Sequence, residues 1–148
     1  MRVLVAERKG AEFVRSGRVA FSEAIRTGTV FMLAAPLDET TRGIISVDEL
    51  AAMDSSALVV NVARGGIVDE RALVRALSDG LIGGAACDSF ETEPATRDNS
   101  ALLDPTIPNL VLSPHIAWYS LRTIKGTTET VKANLEAFVA GRPINVVP

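Results

Sequence analysis

Apolar residues fall along this chain in short runs, each ended by glycine, proline or a charge and separated by stretches with helical spacing. The runs at 2–6, 29–34, 57–62, 84–87 and 110–112 read as strands. Ser22 is a good N-cap for a short helix over 23–26, and Ser46-Val47-Asp48-Glu49 is a capping box that opens a helix to about residue 53. Asp69 opens a helical pattern over 69–77, with Gly80 as its stop. A last amphipathic stretch covers 121–140 and closes on Gly141. The run at 57–62 is unbroken and rich in β-branched residues, the pattern of a strand buried on both faces. Strands alternating with helices at this spacing predict βαβ units with right-handed crossovers. The expected fold is therefore α/β: a parallel sheet with helices on both faces, in a single domain over 1–148.

Composition narrows the partners. Hydrophobic content of 47% and charged content of 22% are those of a globular core, and a net charge of -3 supplies no basic footprint for nucleic acid. No run approaches the roughly 18 apolar residues of a membrane span, and the chain opens on a strand-like run, not a signal peptide. One cysteine, Cys87, excludes an internal disulfide framework and fits a reducing, cytoplasmic setting. With nothing cationic beside it in sequence, Cys87 reads as a small core residue. No metal site is assigned.

The chemistry gathers at the strand ends. Glu7, Ala35-Pro36, Arg64, Asp88 with Glu93, and His115 each follow a proposed strand. In a parallel sheet those carboxyl ends share one edge, where open α/β sheets bind ligands. His115 is the only histidine in the chain. A lone histidine is more often structural, but this one follows Pro114 at a strand end, in company with an arginine and a glutamate. Arginine offers a permanently charged planar fork that holds a carboxylate and polarises a neighbouring carbonyl. Histidine transfers protons near neutral pH, and a carboxylate beside it orients the ring. Together, Arg64, Glu93 and His115 suit reduction of a 2-oxo acid, with the hydride supplied by a cofactor.

Four motifs carry a resemblance to a known family. They are the run Ala35-Pro36-Leu37-Asp38-Glu39-Thr40-Thr41-Arg42-Gly43; the run Asn61-Val62-Ala63-Arg64-Gly65-Gly66-Ile67-Val68-Asp69-Glu70; Asp88-Ser89-Phe90-Glu91-Thr92-Glu93-Pro94; and Ser113-Pro114-His115-Ile116-Ala117-Trp118. The chain resembles the nucleotide-binding domain of the D-isomer-specific 2-hydroxyacid dehydrogenases, in particular the glycerate dehydrogenase and hydroxypyruvate/glyoxylate reductase group. The resemblance implies that Arg64, Glu93 and His115 are the catalytic trio. It implies that Glu7 binds the adenosine ribose hydroxyls and that Ala35, Pro36, Thr41, Val62, Ala63 and Asp88 line the NAD site. It also implies that His115, Ala117 and Trp118 belong to the loop over the nicotinamide, and that the protein pairs as a homodimer. Trp118 walls a pocket or packs under the last helix; both readings stand.

Two departures accompany the match. Family members carry a first strand with a Gly-x-Gly-x-x-Gly phosphate loop and a separate substrate domain. Neither is found in this sequence, and Gly80-Leu81-Ile82-Gly83-Gly84 lacks the spacing. The expectation is an incomplete Rossmann-like sheet whose open edge a second copy or a partner chain covers. Glu7 points to NAD, while Arg8 and Lys9, otherwise a solvated turn, leave NADP possible. The expected reaction is interconversion of a small 2-oxo acid and its D-2-hydroxy acid. The alternatives are a non-catalytic binding module and an enzyme that reuses the His/Arg/Glu site for non-redox chemistry.

Overall fold

The computed structural model describes residues 2–147, which divide into two compact units, one reaching to His115 and one beginning at Ile116. The first unit holds α1 (Phe21–Thr27), β1 (Val30–Leu33), α2 (Val47–Ala52), β2 (Leu58–Asn61), α3 (Glu70–Ser78), β3 (Gly84–Cys87), a short 3-10 helix (Ala101–Leu103) and β4 (Leu110–Leu112). The four strands form one parallel sheet in the order β1-β2-β3-β4, with Met32, Val60, Ala86 and Val111 in one row and Leu33, Asn61, Cys87 and Leu112 in the next. This is the parallel α/β sheet expected from the sequence, and β3 and β4 fall where the apolar runs put them.

Each crossover steps the same way across the sheet, so right-handed connections stack α2, α3 and the 3-10 helix on one face. That face supplies the core. Val59, Ala85 and Cys87 are buried there with Leu50, Met53, Leu73, Leu77 and Leu102 from the helices. The other face keeps its apolar side chains but has no helix of this unit over it: Met32 is 60% and Val111 66% exposed. The strand read as buried on both faces is therefore two-sided, with Val59 fully buried and Leu58 exposed. An apolar run records which residues can be buried, not which face finds a partner.

The helix signals held at two sites and failed at one. Ser46 and Glu49 form the capping box, Glu49 accepting from the Ser46 N–H at 3.2 Å. Asp69 accepts from the Ala72 N–H at 3.0 Å, and the chain leaves α3 through Gly80 at φ +66°. Ser22, expected as an N-cap, lies inside α1, whose N-cap is Ala20 with no side-chain cap. The strand expected at 2–6 is also absent. Only Ala6 forms a bridge, to Val19, because no neighbouring strand offers this segment a ladder.

The second unit contains α4 (Leu121–Val139), capped by the Ser120 hydroxyl accepting from the Thr123 N–H at 3.1 Å. Its i,i+4 pairs, Lys125–Glu129 and Lys132–Glu136, are exposed and contribute a few tenths of a kcal/mol each. No described helix is long and apolar enough to cross a membrane.

Candidate active site

Parallel pairing brings the ends of β1, β2, β3 and β4 to one edge, and with them the loops that carry Pro36, Arg64, Glu93 and His115. Glu93 and His115, 22 residues apart, meet there: Nδ1 of His115 lies 2.7 Å from Oε2 of Glu93. The other oxygen, Oε1, accepts the Phe90 N–H at 3.0 Å. These two hydrogen bonds, the Phe90 amide first and the imidazole second, hold the Glu93 carboxyl below its usual range, and Arg64 pushes weakly the same way. The carboxylate therefore stays charged opposite the ring. His115 itself adopts φ +55°, a left-handed state that costs a non-glycine residue about 1 kcal/mol. Such strain persists only where the surroundings enforce it.

Arg64 arrives through a turn that Asn61 braces. The Asn61 amide donates to the Arg64 carbonyl at 2.9 Å, and its oxygen accepts from the Ala63 N–H at 3.2 Å. The Arg64 guanidinium is exposed and donates to the Ala63 carbonyl at 2.7 Å. Next comes Gly65, where a Cβ would sit 1.8 Å from the Phe90 carbonyl oxygen. Only glycine lets the 88–91 backbone lie against the arginine turn, and that backbone leads directly to Glu93. Gly66 follows at φ +81°.

Sequence reasoning missed Glu70 as a group that steadies this arrangement. Glu70 is buried and accepts from the Glu91 N–H at 2.7 Å and the Ser100 hydroxyl at 2.6 Å, tying the Glu93 loop to α3. Its signal was a carboxylate one position inside an N-capped helix, easily taken for a dipole charge. Asp88 is buried and accepts from the Ser113 hydroxyl, joining the ends of β3 and β4. In the loop after β1, the Thr41 hydroxyl donates to the Pro36 carbonyl at 2.7 Å, while Asp38 accepts from the Thr40 and Thr41 amides. Ala35, Pro36 and Thr41 thus share one braced loop; Val62 and Ala63 belong to the arginine turn.

A cleft of about 400 Å3 opens beside the His115–Glu93 pair, walled by Phe90, Ala95, Leu103, Leu112 and Pro114. A larger polar cleft of about 580 Å3 lies against α3, between Arg42, Glu91 and Ser100, and includes none of the trio. Of the two, the first contains Glu93 and His115, and Arg64 lines neither.

Two expected residues behave differently. Glu7, read as a ribose acceptor, is buried and held by Arg15, whose Nε donates to Oε2 at 2.7 Å. This pairing and the Arg8 amide lower its carboxyl to about 2. Lys9, expected to be a solvated charge, bonds Glu49 at 2.7 Å. Cys87 is buried in β3, which pushes its thiol up to about 12 and leaves it inert, as expected. Ala117 and Trp118 fall in the second unit, where Trp118 packs edge-to-face on Tyr119 at 5.4 Å between ring centroids.

Residues 1–117 match the family described as "D-isomer specific 2-hydroxyacid dehydrogenase, NAD binding domain". The chain is 42% identical over 135 residues to a glycerate dehydrogenase of Methylorubrum extorquens, covering 91% of this chain and 43% of that one. It is 37% identical over 145 residues to a glyoxylate reductase of Pyrococcus horikoshii, covering 95% and 42%. Among solved structures it is similar to the NAD-complexed D-isomer specific 2-hydroxyacid dehydrogenase of Lactobacillus delbrueckii ssp. bulgaricus, with a TM-score of 0.76 and 27% identity, covering 88% and 43%. The chain spans less than half the length of these relatives.

Proposed function

We propose that this chain, which belongs to the D-isomer-specific 2-hydroxyacid dehydrogenase family by its NAD-binding domain, interconverts a small 2-oxo acid of the hydroxypyruvate or glyoxylate type and its D-2-hydroxy acid. The observation that carries the reading is the 2.7 Å contact between His115 and Glu93 at the sheet edge where Arg64 also emerges.

In this reading the Arg64 guanidinium holds the substrate carboxylate and polarises the adjacent carbonyl, an interaction that strengthens as charge builds on its oxygen. Glu93 engages Nδ1 of His115 and orients the ring, which assigns proton transfer to Nε2. The imidazolium donates to the carbonyl oxygen during reduction, and the neutral ring accepts the proton during oxidation. NAD, or NADP in its place, supplies the hydride when bound. The loop of Ala35, Pro36 and Thr41, together with Val62, Ala63 and Asp88, forms the dinucleotide wall. Ala117 and Trp118 follow His115 on the nicotinamide side. In this reading residues 1–148 act as one domain of the nucleotide-binding type, cytoplasmic, assembled as a homodimer or with a partner chain along the edge of the sheet that β1 forms.

The test follows reduced-nicotinamide absorbance with the purified protein and a panel of 2-oxo acids. Consumption is expected with hydroxypyruvate or glyoxylate. Arg64→Gln should lower kcat/KM by about 100-fold, the scale of one lost charged anchor. No consumption with any acid overturns the reading.

A further inference from the structure

The left-handed main chain at His115 is enforced from two sides. On the ring side stands the contact to Glu93. On the main-chain side, the His115 N–H donates to the Ser113 carbonyl at 3.0 Å, closing a three-residue turn across Pro114. Proline has no N–H and a fixed φ, so it stiffens this turn without bonding in it. The imidazole is therefore placed by whatever fixes Ser113.

Ser113 is fixed twice, on consecutive residues at the end of β3. Its N–H donates to the Cys87 carbonyl at 3.0 Å. Its hydroxyl donates to Oδ1 of buried Asp88 at 2.5 Å, a length typical of a hydroxyl on a carboxylate. The main-chain bond continues the β3–β4 ladder, and any residue with an N–H would make it. The side-chain bond requires a hydroxyl. Asp88 in turn donates its N–H to the Asn61 carbonyl at 2.9 Å, and the Asn61 side chain holds the Arg64 carbonyl. One run of hydrogen bonds thus passes from the arginine turn through Asn61, Asp88 and Ser113 to His115, crossing the ends of β2, β3 and β4.

We propose that Ser113 is a positioning residue for the acid–base histidine: its hydroxyl, seated on Asp88, sets the turn that holds the His115 ring against Glu93 and in register with Arg64. Ser113 acts through His115 and takes no part in the proton transfer itself. The kinetic half of this inference rests on the acid–base reading above; its structural half concerns the protein alone.

The experiment compares Ser113→Thr with Ser113→Val in the full chain. The two side chains share a shape and differ by one hydroxyl, so crowding at this half-buried position is common to both. His115 is the only histidine, so ring-nitrogen magnetic resonance reads it directly. A carboxylate at Nδ1 selects the Nδ1–H tautomer of the neutral ring. The parent and Ser113→Thr should show that tautomer, and Ser113→Val should show a mixture of the two. With hydroxypyruvate and reduced nicotinamide cofactor, kcat of Ser113→Val should fall about tenfold below that of Ser113→Thr, the scale of one hydrogen bond, and by more than KM changes. Ser113→Ala, which crowds nothing, should match Ser113→Val. A merely structural serine would shift the urea midpoint and leave the tautomer as it is. The Nδ1–H tautomer retained in Ser113→Ala or Ser113→Val overturns the inference alone. No turnover in the parent overturns the proposed reaction, while the tautomer comparison still decides the role of Ser113.

Discussion

Replacing Gly65 by alanine tests how the site is assembled. The added Cβ would lie 1.8 Å from the Phe90 carbonyl oxygen, 2.0 Å from its carbon and 2.5 Å from the Glu91 nitrogen. All three are backbone atoms, so no side chain can swing aside. To restore van der Waals contact, the 88–91 segment must retreat by about 1.5 Å. That segment holds two anchors: the Phe90 N–H on Glu93 and the Glu91 N–H on buried Glu70. Overpacking against backbone stands at the upper end of the usual range, about 3 kcal/mol. Gly66→Ala is the control. It forces a side chain to φ +81° but meets only the flexible tip of Arg42, at 2.9 Å, and should cost about 1 kcal/mol. Urea denaturation reads both. Gly65→Ala should lower the midpoint by roughly 1.5 M at unchanged slope, clearly more than Gly66→Ala. Its nitrogen spectrum should also lose the signature of the His115–Glu93 hydrogen bond. A Gly65→Ala protein within about 0.5 kcal/mol of the parent would refute the close packing on which the site geometry depends.

Other perturbations separate core, brace and charge. Leu73, fully buried in α3, should cost about 3 kcal/mol when cut to alanine, measured by the same urea midpoint; a change below about 1 kcal/mol would contradict the placement of the core. Glu70→Gln turns one acceptor into a donor facing either the Glu91 amide or the Ser100 hydroxyl. It should destabilise by about 1–3 kcal/mol and lower kcat more than it raises KM. The Glu7 carboxyl is lowered to about 2, so its stabilising share is complete above the ordinary value of 4.5 and is lost as pH falls from there toward 2. The stability gap between the parent and Glu7→Gln should therefore stay constant at neutral pH and close in that acid window; a gap that widens as pH falls contradicts the pairing with Arg15.

Strands β3 and β4 were legible to the residue because short apolar runs ended by Asp88 and Ser113 leave little freedom of register. The pairing of Glu93 with His115 followed from topology, since parallel strands deliver their ends to one edge whatever the spacing in sequence. What could not be read depended on partners supplied by loops. Arg15 reaches Glu7 by folding back across eight residues of turn, a distance at which sequence carries no periodic signal. The glycine at 65 was visible, but not the Phe90 backbone it accommodates. The open sheet face was hidden for the same reason: Leu58 and Val59 look alike in sequence, and only the direction of the crossovers decides which is buried.

The most direct test of the central claim is reduced-nicotinamide oxidation by the parent protein and by His115→Ala, with saturating 2-oxo acid and the reduced cofactor. Proton transfer by a positioned histidine is worth about 100- to 10,000-fold, so turnover in the parent should fall by that factor in the variant. Turnover that survives His115→Ala within a few-fold would contradict the account, because the group that meets Glu93 at 2.7 Å would then not be the one that moves the proton.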